Sequence, residues 1–335
     1  MAEGLVQITR GNLTENIIRG DIVVLDQNGH LNAVCGNSQK KAYLRSAAKP
    51  IQAIVAVREG VLEYFDITDE ELAVMCASHI AEEVHIKAIL SILQKISLDE
   101  SALACGTDYS YDPELREKRI ANHVQKRAVF HNCSGKHACM LAICKMKGWD
   151  TRTYYLPDHP VQQRILDEIC NFSGLSRNQI TVGIDGCGVP VFAMPLERMA
   201  LMYANLAHPN FSEDYAESCQ RICKAMTTYP LMVAGTGQFA SVVMQVSQGN
   251  ILAKPGADGI FCSHIFDRGL SVAVKMEDGN GEVLSLVMMS VYQQLGVLNA
   301  QQLEALQSFA CVNNKNCRGE VVGMKESIFE LEYIK

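Results

Sequence analysis

The spacing of apolar residues changes twice along the chain. Over the first 36 residues, "LVQITRG", "DIVVLDQ" and "HLNAVCG" are short β-rich runs, and the turn-forming "QNGH" joins the last two. This predicts a hairpin with a lead-in strand. Between about residues 45 and 230 apolar residues recur every three or four positions, in "KPIQAIVAVREGVLEYF", "DEELAVMCASH", "EEVHIKAILSILQKIS", "GKHACMLAICKMKGW", "HPVQQRILDEICNFSG" and "EDYAESCQRICKAMTTYP". Those segments predict helices. Towards the other end "ASVVMQV", "NILAKPG", "DGIFCSHIFD" and "LSVAVKMEDG" return to the strand pattern, broken by Gly, Asn and Asp where the chain must reverse, and "GEVLSLVMMSVYQQLG" adds a helix. The fold class expected is α/β of the α+β type. Its antiparallel sheet is drawn from both strand-rich ends, about 1–40 and 240–335, and its helical middle forms a layer and a cap. No repeat, low-complexity stretch or Pro/Gly-rich linker marks a boundary, so residues 1–335 read as a single domain.

Composition narrows the partners. Apolar residues make up 48% of the 335, enough for a substantial core, and the net charge of −7 comes from both signs scattered along the chain. With no basic run, nucleic acid is not an expected partner. No apolar stretch approaches the roughly 18 to 20 residues of a membrane-spanning helix, so no membrane association is expected. Thirteen cysteines and the opening "MAEGLVQITRGN", which lacks a charged and then apolar leader, suggest a cytoplasmic protein with reduced, mostly buried thiols. A homodimer is expected.

The stretch "YLRSAAKPIQA" (43–53) places Ser46 three residues before Lys49, with Pro50 next. Proline is tolerated only in the first turn of a helix, so the helix must begin near Ser46. A serine there can simply accept an orphan backbone N–H as an N-cap. The same spacing would also let the Lys49 amine take the Ser46 hydroxyl proton, provided that the lysine is neutral. Burial supplies such a shift, and the positive end of the helix dipole acts in the same direction. The S-x-x-K pattern is shared with penicillin-binding proteins and class A β-lactamases, but four characters alone are not specific.

Further constellations follow. "CASHIAEEVH" sets Ser78, His79, Glu82, Glu83 and His85 between two helices, where Ser78 and Glu82 could serve as caps. "HNCSGKHACML" gathers Cys133, Lys136 and His137 around a glycine, and "GIDGCGVPVFAMP" surrounds Cys187 with glycines two residues after Asp185. Such glycines mark sharp turns or close approaches. A thiolate at a helix N-terminus is a good nucleophile or metal ligand, but no C-x-x-C pair accompanies either cysteine, and spacing alone favours packing thiols over zinc. "VAGTGQFAS" and "AKPGADGIF", the second carrying Lys254, are Gly-rich turns without the order of a phosphate loop.

Taken in order, "RSAAKP", "SHIAEEVH", "NCSGKH", "DGCGVP", "AGTGQF", "KPGADG" and "VKMEDG" make the chain resemble the asparaginase II family, the rhizobial-type L-asparaginases, as far as about residue 280. The resemblance implies a fold similar to the serine β-lactamases and penicillin-binding proteins. It also implies hydrolysis of L-asparagine to aspartate and ammonia. The family's two serine–lysine pairs map to Ser46 with Lys49 and Ser78 with Lys254 as catalytic residues. Its zinc ligands, two cysteines and a lysine, map to Cys133, Lys136 and Cys187, implying one zinc per chain. The neighbouring histidine and aspartate map to His137 and Asp185, which with Arg45 are expected to bind substrate. Two positions depart from the pattern: Cys139 stands where a small residue is usual, and Gln238 where arginine often stands. A glutaminase, another serine–lysine amidohydrolase, and a non-catalytic zinc- or amino-acid-binding relative are the alternatives.

Overall fold

Both ends of the chain enter one antiparallel sheet, as their alternation predicted. The computed structural model describes residues 2–310 and 312–334. In spatial order the sheet runs Val312–Lys315, Val321–Ser327, Glu3–Arg10, Leu13–Leu25, Leu270–Met276, Ile260–Ile265, Ile251–Gly256, with Leu31–Cys35 paired on Leu13–Leu25 and Glu332–Tyr333 paired on Leu31–Cys35. The expected hairpin is present: Val23 pairs with Val34, and Asp26 closes the turn by accepting from the N–H groups of Asn28 and His30. On its other side Val23 pairs with Ala273. The second half of that central strand is therefore buried throughout, while its first half, from Leu13 to Ile17, is exposed. Helix Leu284–Gln294 lies in the same unit, and its buried Tyr292 donates to the Ser263 hydroxyl at 3.0 Å.

The described residues divide into two compact units. The sheet unit comprises the chain up to Ala47, Met194–Ala204, and the chain from Val242 onward; the helical unit comprises Ala48–Ala193 and Asn205–Ser241. At the centre of the helical unit lies helix Lys49–Arg58, buried from Lys49 to Ala56, against helices Asp69–Met75, Ser134–Lys147, Pro160–Ser173 and Ala216–Thr228. The ends of these helices follow local rules. Thr68 and Glu71 form a reciprocal cap, Pro160 occupies the first turn behind the His159 cap, and Gly148 and Gly174 end their helices in the left-handed conformation.

Gly135 fixes how closely two of these helices approach. A Cβ there would lie 2.1 Å from the Val74 carbonyl oxygen, so the first turn of Ser134–Lys147 meets the end of Asp69–Met75 backbone to backbone. The glycine read as a marker of close approach is one.

Other segments differ from expectation. "ASVVMQV" is not a strand but part of helix Phe239–Val246. Its buried Ala240, Val243 and Met244 fall at helical spacing, while the Ser241 hydroxyl donates to Pro230 O at 2.8 Å and accepts from the Gly235 N–H at 3.2 Å. Within so short an apolar run the two valines imitated a strand. Conversely, the helical middle contains an antiparallel pair, Thr181–Ile184 with Pro190–Pro195, whose connecting turn carries Asp185 and Cys187. Among the described residues, no helix is long and apolar enough to cross a membrane.

Candidate functional site

Lys49 opens the central helix of the helical unit, and its amine is fully buried. Nζ lies 2.6 Å from Ala77 O, 3.0 Å from Ser78 Oγ and 3.2 Å from Asn132 O. These partners are two carbonyls and a hydroxyl rather than a carboxylate. Burial lowers the Lys49 pKa, the nearby Lys136 charge adds to the effect, and the Cys133 and Cys187 sulfurs oppose it. When neutral, the amine keeps two N–H bonds for the carbonyls and turns its lone pair towards the Ser78 hydroxyl. A base in that state can accept a hydroxyl proton.

The sequence left open whether the serines are caps. The helix Lys49–Arg58 has Ala48 at its cap position and no side-chain cap, so Ser46 does not cap it. Nor does Ser78 cap the next helix, Glu83–Lys95, where the Glu82 N–H donates to His85 Nδ1 at 3.0 Å. Ser78 instead faces Lys49.

A second cluster lies in the same unit. Cys133 directly precedes helix Ser134–Lys147, Lys136 and His137 stand in its first turn, and Asp185 and Cys187 come from the hairpin turn closed by the Asp185 N–H on Val189 O. Lys136 Nζ donates to Cys187 Sγ at 3.0 Å and lies 3.6 Å from Asp185 Oδ2, while Cys187 Sγ lies 3.5 Å from that same oxygen. A hydrogen bond from Cys187 pushes the Cys133 thiol well down, with Lys49 and Lys136 favouring the thiolate, while that same bond and burial push the Cys187 thiol up. For Lys136, burial opposes the charge, but Cys133, Cys187 and Asp185 outweigh it and raise its pKa. Thus two buried lysines are driven in opposite directions, Lys49 towards neutrality and Lys136 towards charge.

The Lys136 amine 3.0 Å from the Cys187 thiol, with the Cys133 thiol bonded to Cys187, is a donor set that suits a tetrahedral zinc ion with one position open, if Lys136 gives up its proton to the metal. Among the described residues, no group of three or more His, Cys, Asp and Glu side chains could hold a metal. The donor set reaches three through the lysine.

His137 is fully buried, and burial, with Lys136 next, pushes its pKa down to about 3, so the ring is neutral. Its Nδ1 lies 2.6 Å from the hydroxyl of Tyr154, while its Nε2 has no hydrogen-bond partner among the described residues. Leaving such a group unpaired costs about 1–3 kcal/mol, which marks the position as prepared for something else. Tyr154 escaped the sequence reading because an aromatic residue in a turn carries no spacing signal. His79, noted only as part of a charged cluster, accepts from the Ala81 N–H and bonds Ser134 Oγ at 2.9 Å, anchoring the segment that presents Ser78.

Arg45, Ser46 and Lys254 belong to the sheet unit. Ser46 lies in a 3-10 turn, Arg45–Ala48, directly followed in sequence by the helix that begins at Lys49. Arg45 adopts φ 50°, a left-handed conformation costly for a long side chain, and its guanidinium pairs with Asp258. Tyr203 Oη donates to Ala47 O at 2.9 Å and holds the turn. A Cβ at Gly256 would lie 3.0 Å from Leu44 O, so the strand carrying Lys254 runs against the segment carrying Ser46. Lys254 is fully buried and donates to Pro255 O at 3.0 Å.

Of the two departures, Cys139 is buried inside helix Ser134–Lys147, and burial raises its thiol pKa: it is a packing residue. Gln238 is half-buried at the end of the Gly235–Gly237 turn, where Thr236 N–H donates to Glu82 Oε2 at 3.0 Å.

No curated protein matches the chain. Among solved structures, a beta-lactamase from Mycobacterium bovis is similar at 13% identity over 83% of this chain and 95% of that one, with a TM-score of 0.45. Simvastatin synthase from Aspergillus terreus is similar at 15% identity over 86% and 94%, with a TM-score of 0.39. The family model described as L-asparaginase II matches residues 6–326. With that match spanning nearly every element described above, the chain belongs to the L-asparaginase II family of amidohydrolases.

Proposed function

We propose that this protein hydrolyses the side-chain amide of L-asparagine to L-aspartate and ammonia, with Ser46 as nucleophile and Lys49 as its base. The supporting observation is Lys49 itself, three residues after Ser46, buried away from carboxylates and driven towards the neutral amine. Ser46 Oγ attacks the amide carbonyl and its proton passes to Lys49 Nζ. Ammonia leaves with a returned proton, and water then hydrolyses the seryl ester. Ser78, bonded to Lys49, and Lys254 relay protons, while backbone N–H groups at the start of the helix that follows Ser46 would stabilise the oxyanion. Arg45, His137 and Asp185 bind the substrate. We place the enzyme in the cytoplasm as a homodimer.

Cys133, Lys136 and Cys187 would hold a zinc ion, which when bound supplies a positive centre that orients substrate. The residues that hold it also tie the hairpin turn to the first turn of helix Ser134–Lys147. Protein purified without chelator is expected to contain roughly one zinc per chain, the single ion that three protein donors specify. Cys133→Ser or Cys187→Ser should lower that content and raise KM for asparagine more than it lowers kcat. Elemental analysis that finds no zinc would return both cysteines to packing.

The function is tested by ammonia release from asparagine, with glutamine and a chromogenic β-lactam alongside. Release from asparagine at the highest kcat/KM supports the proposal. Preference for glutamine points to the alternative amidohydrolase, and silence with all three to a binding protein.

A further inference from the structure

We propose that Tyr154 is a positioning residue: its hydroxyl holds His137 in the tautomer protonated at Nε2, presenting a hydrogen-bond donor to an oxygen of the substrate. The inference rests on the reading of His137 as substrate-binding and adds what that histidine recognises and what prepares it.

Tyr154 lies in the turn between helices Ser134–Lys147 and Pro160–Ser173, fully buried, with its ring edge-on to the imidazole at 5.5 Å and 82°. Its backbone is fixed by Gln162 Nε2, which donates to Tyr154 O at 2.8 Å. The Ala104 N–H donates to the hydroxyl oxygen at 2.9 Å. That oxygen is thus already an acceptor, and its own proton points to His137 Nδ1, 2.6 Å away. An imidazole that accepts at Nδ1 carries its proton on Nε2. The reverse tautomer would leave the tyrosine proton buried without an acceptor.

The consequence lies on the other side of the ring. Nε2–H is buried and has no partner among the described residues. A fixed donor selects an oxygen lone pair, in a carboxylate or an amide carbonyl, and rejects an ammonium group, which has no lone pair to offer. Under the proposed function that acceptor is one of the oxygens of asparagine. Ala104 and Tyr154 act through His137 and touch no reacting atom.

The test uses protein labelled with 15N-histidine, free of substrate, in long-range proton–nitrogen correlation spectra. His137 is assigned by the signals lost in His137→Gln. The expected wild-type pattern is a single Nε2–H tautomer, and Tyr154→Phe should give a mixture of both forms. Tyr154→Phe should also raise KM for asparagine about tenfold with kcat within about threefold, the size of one lost hydrogen bond in binding. In the His137→Gln background, where the amide N–H stands in for Nε2–H and needs no tautomer control, Tyr154→Phe should leave KM nearly unchanged. A wild-type Nδ1–H pattern overturns the proposal, and that measurement does not require Tyr154→Phe to fold. So does an unchanged tautomer in Tyr154→Phe with a lowered Tm, which would make Tyr154 a packing residue. If asparagine is not hydrolysed at all, the proposed function fails, while the spectrum of the substrate-free protein still decides this inference.

Discussion

Ser46→Ala is expected to lower kcat for asparagine by at least about ten-thousandfold, the scale on which removal of a nucleophile acts in a serine hydrolase. The fold should survive, because Ser46 caps no helix and the turn around it is held by Tyr203 on Ala47 O. The hydrogen bond of Lys49 to Ser78 makes Ser78→Ala the necessary companion, since Ser78 is the hydroxyl observed on the Lys49 amine. If Ser46 is the nucleophile and Ser78 a relay, Ser78→Ala should slow turnover by about a hundredfold, the scale of an impaired proton transfer, and still form an acyl-enzyme detectable by mass spectrometry after acid quench. Ser46→Ala should form none. The opposite pattern, with acyl-enzyme in Ser46→Ala and none in Ser78→Ala, would transfer the nucleophile to Ser78.

The sequence carried much of this through periodicity. The helices of the middle were legible because their three- and four-residue spacing repeats over several turns, and the strands Leu13–Leu25, Leu31–Cys35, Ile251–Gly256, Ile260–Ile265 and Leu270–Met276 because their β-rich runs are bounded by Gly, Asn and Asp where the chain reverses. Phe239–Val246 was not, because its run "ASVVMQV" carries adjacent valines that look like a strand and has no helix-start signal to oppose them. The pair Thr181–Ile184 and Pro190–Pro195 hid in a helical context, and it determines where Cys187 sits. A short hairpin is specified by its turn, and "DGCGV" is a longer turn than the two-residue signal.

Candidate site residues stood out where an unusual residue occupies an unusual place. A lysine in the first turn of a helix opposes the dipole, and both Lys49 and Lys136 break that rule, for opposite reasons. Lys49 is held towards neutrality by burial, whereas Lys136 is held charged by the sulfurs and Asp185. Residues that act through backbone geometry were not legible. Ala77 O and Asn132 O orient Lys49, and Ala104 N–H orients Tyr154, but a carbonyl or an amide belongs to every residue and leaves no mark in a sequence.

Lys49→Met should remove turnover by a comparable route, with a loss of about a hundredfold to ten-thousandfold for a general base. Its pH behaviour separates a base from a structural residue. An ordinary lysine titrates at about 10.4, and burial lowers Lys49 below that. Below its folded pKa the amine is protonated and cannot accept the hydroxyl proton, so wild-type kcat/KM should rise about tenfold per pH unit on the acid side and level off above it. Because Cys133, Lys136 and Cys187 all face this amine, the apparent pKa belongs to the coupled group. Stability follows with a definite sign. Between the lowered folded pKa and about 10.4 the unfolded chain binds more protons at Lys49 than the folded one, so this lysine makes wild-type stability rise with pH across that window. Below the folded pKa both states are protonated and the slope vanishes. Lys49→Met should lose both the acid limb of residual activity and this alkaline gain in Tm relative to wild type. An activity profile that peaks near pH 5 and declines above it, or a Lys49→Met enzyme that keeps the wild-type limb, would assign the proton transfer to a carboxylate or to another lysine.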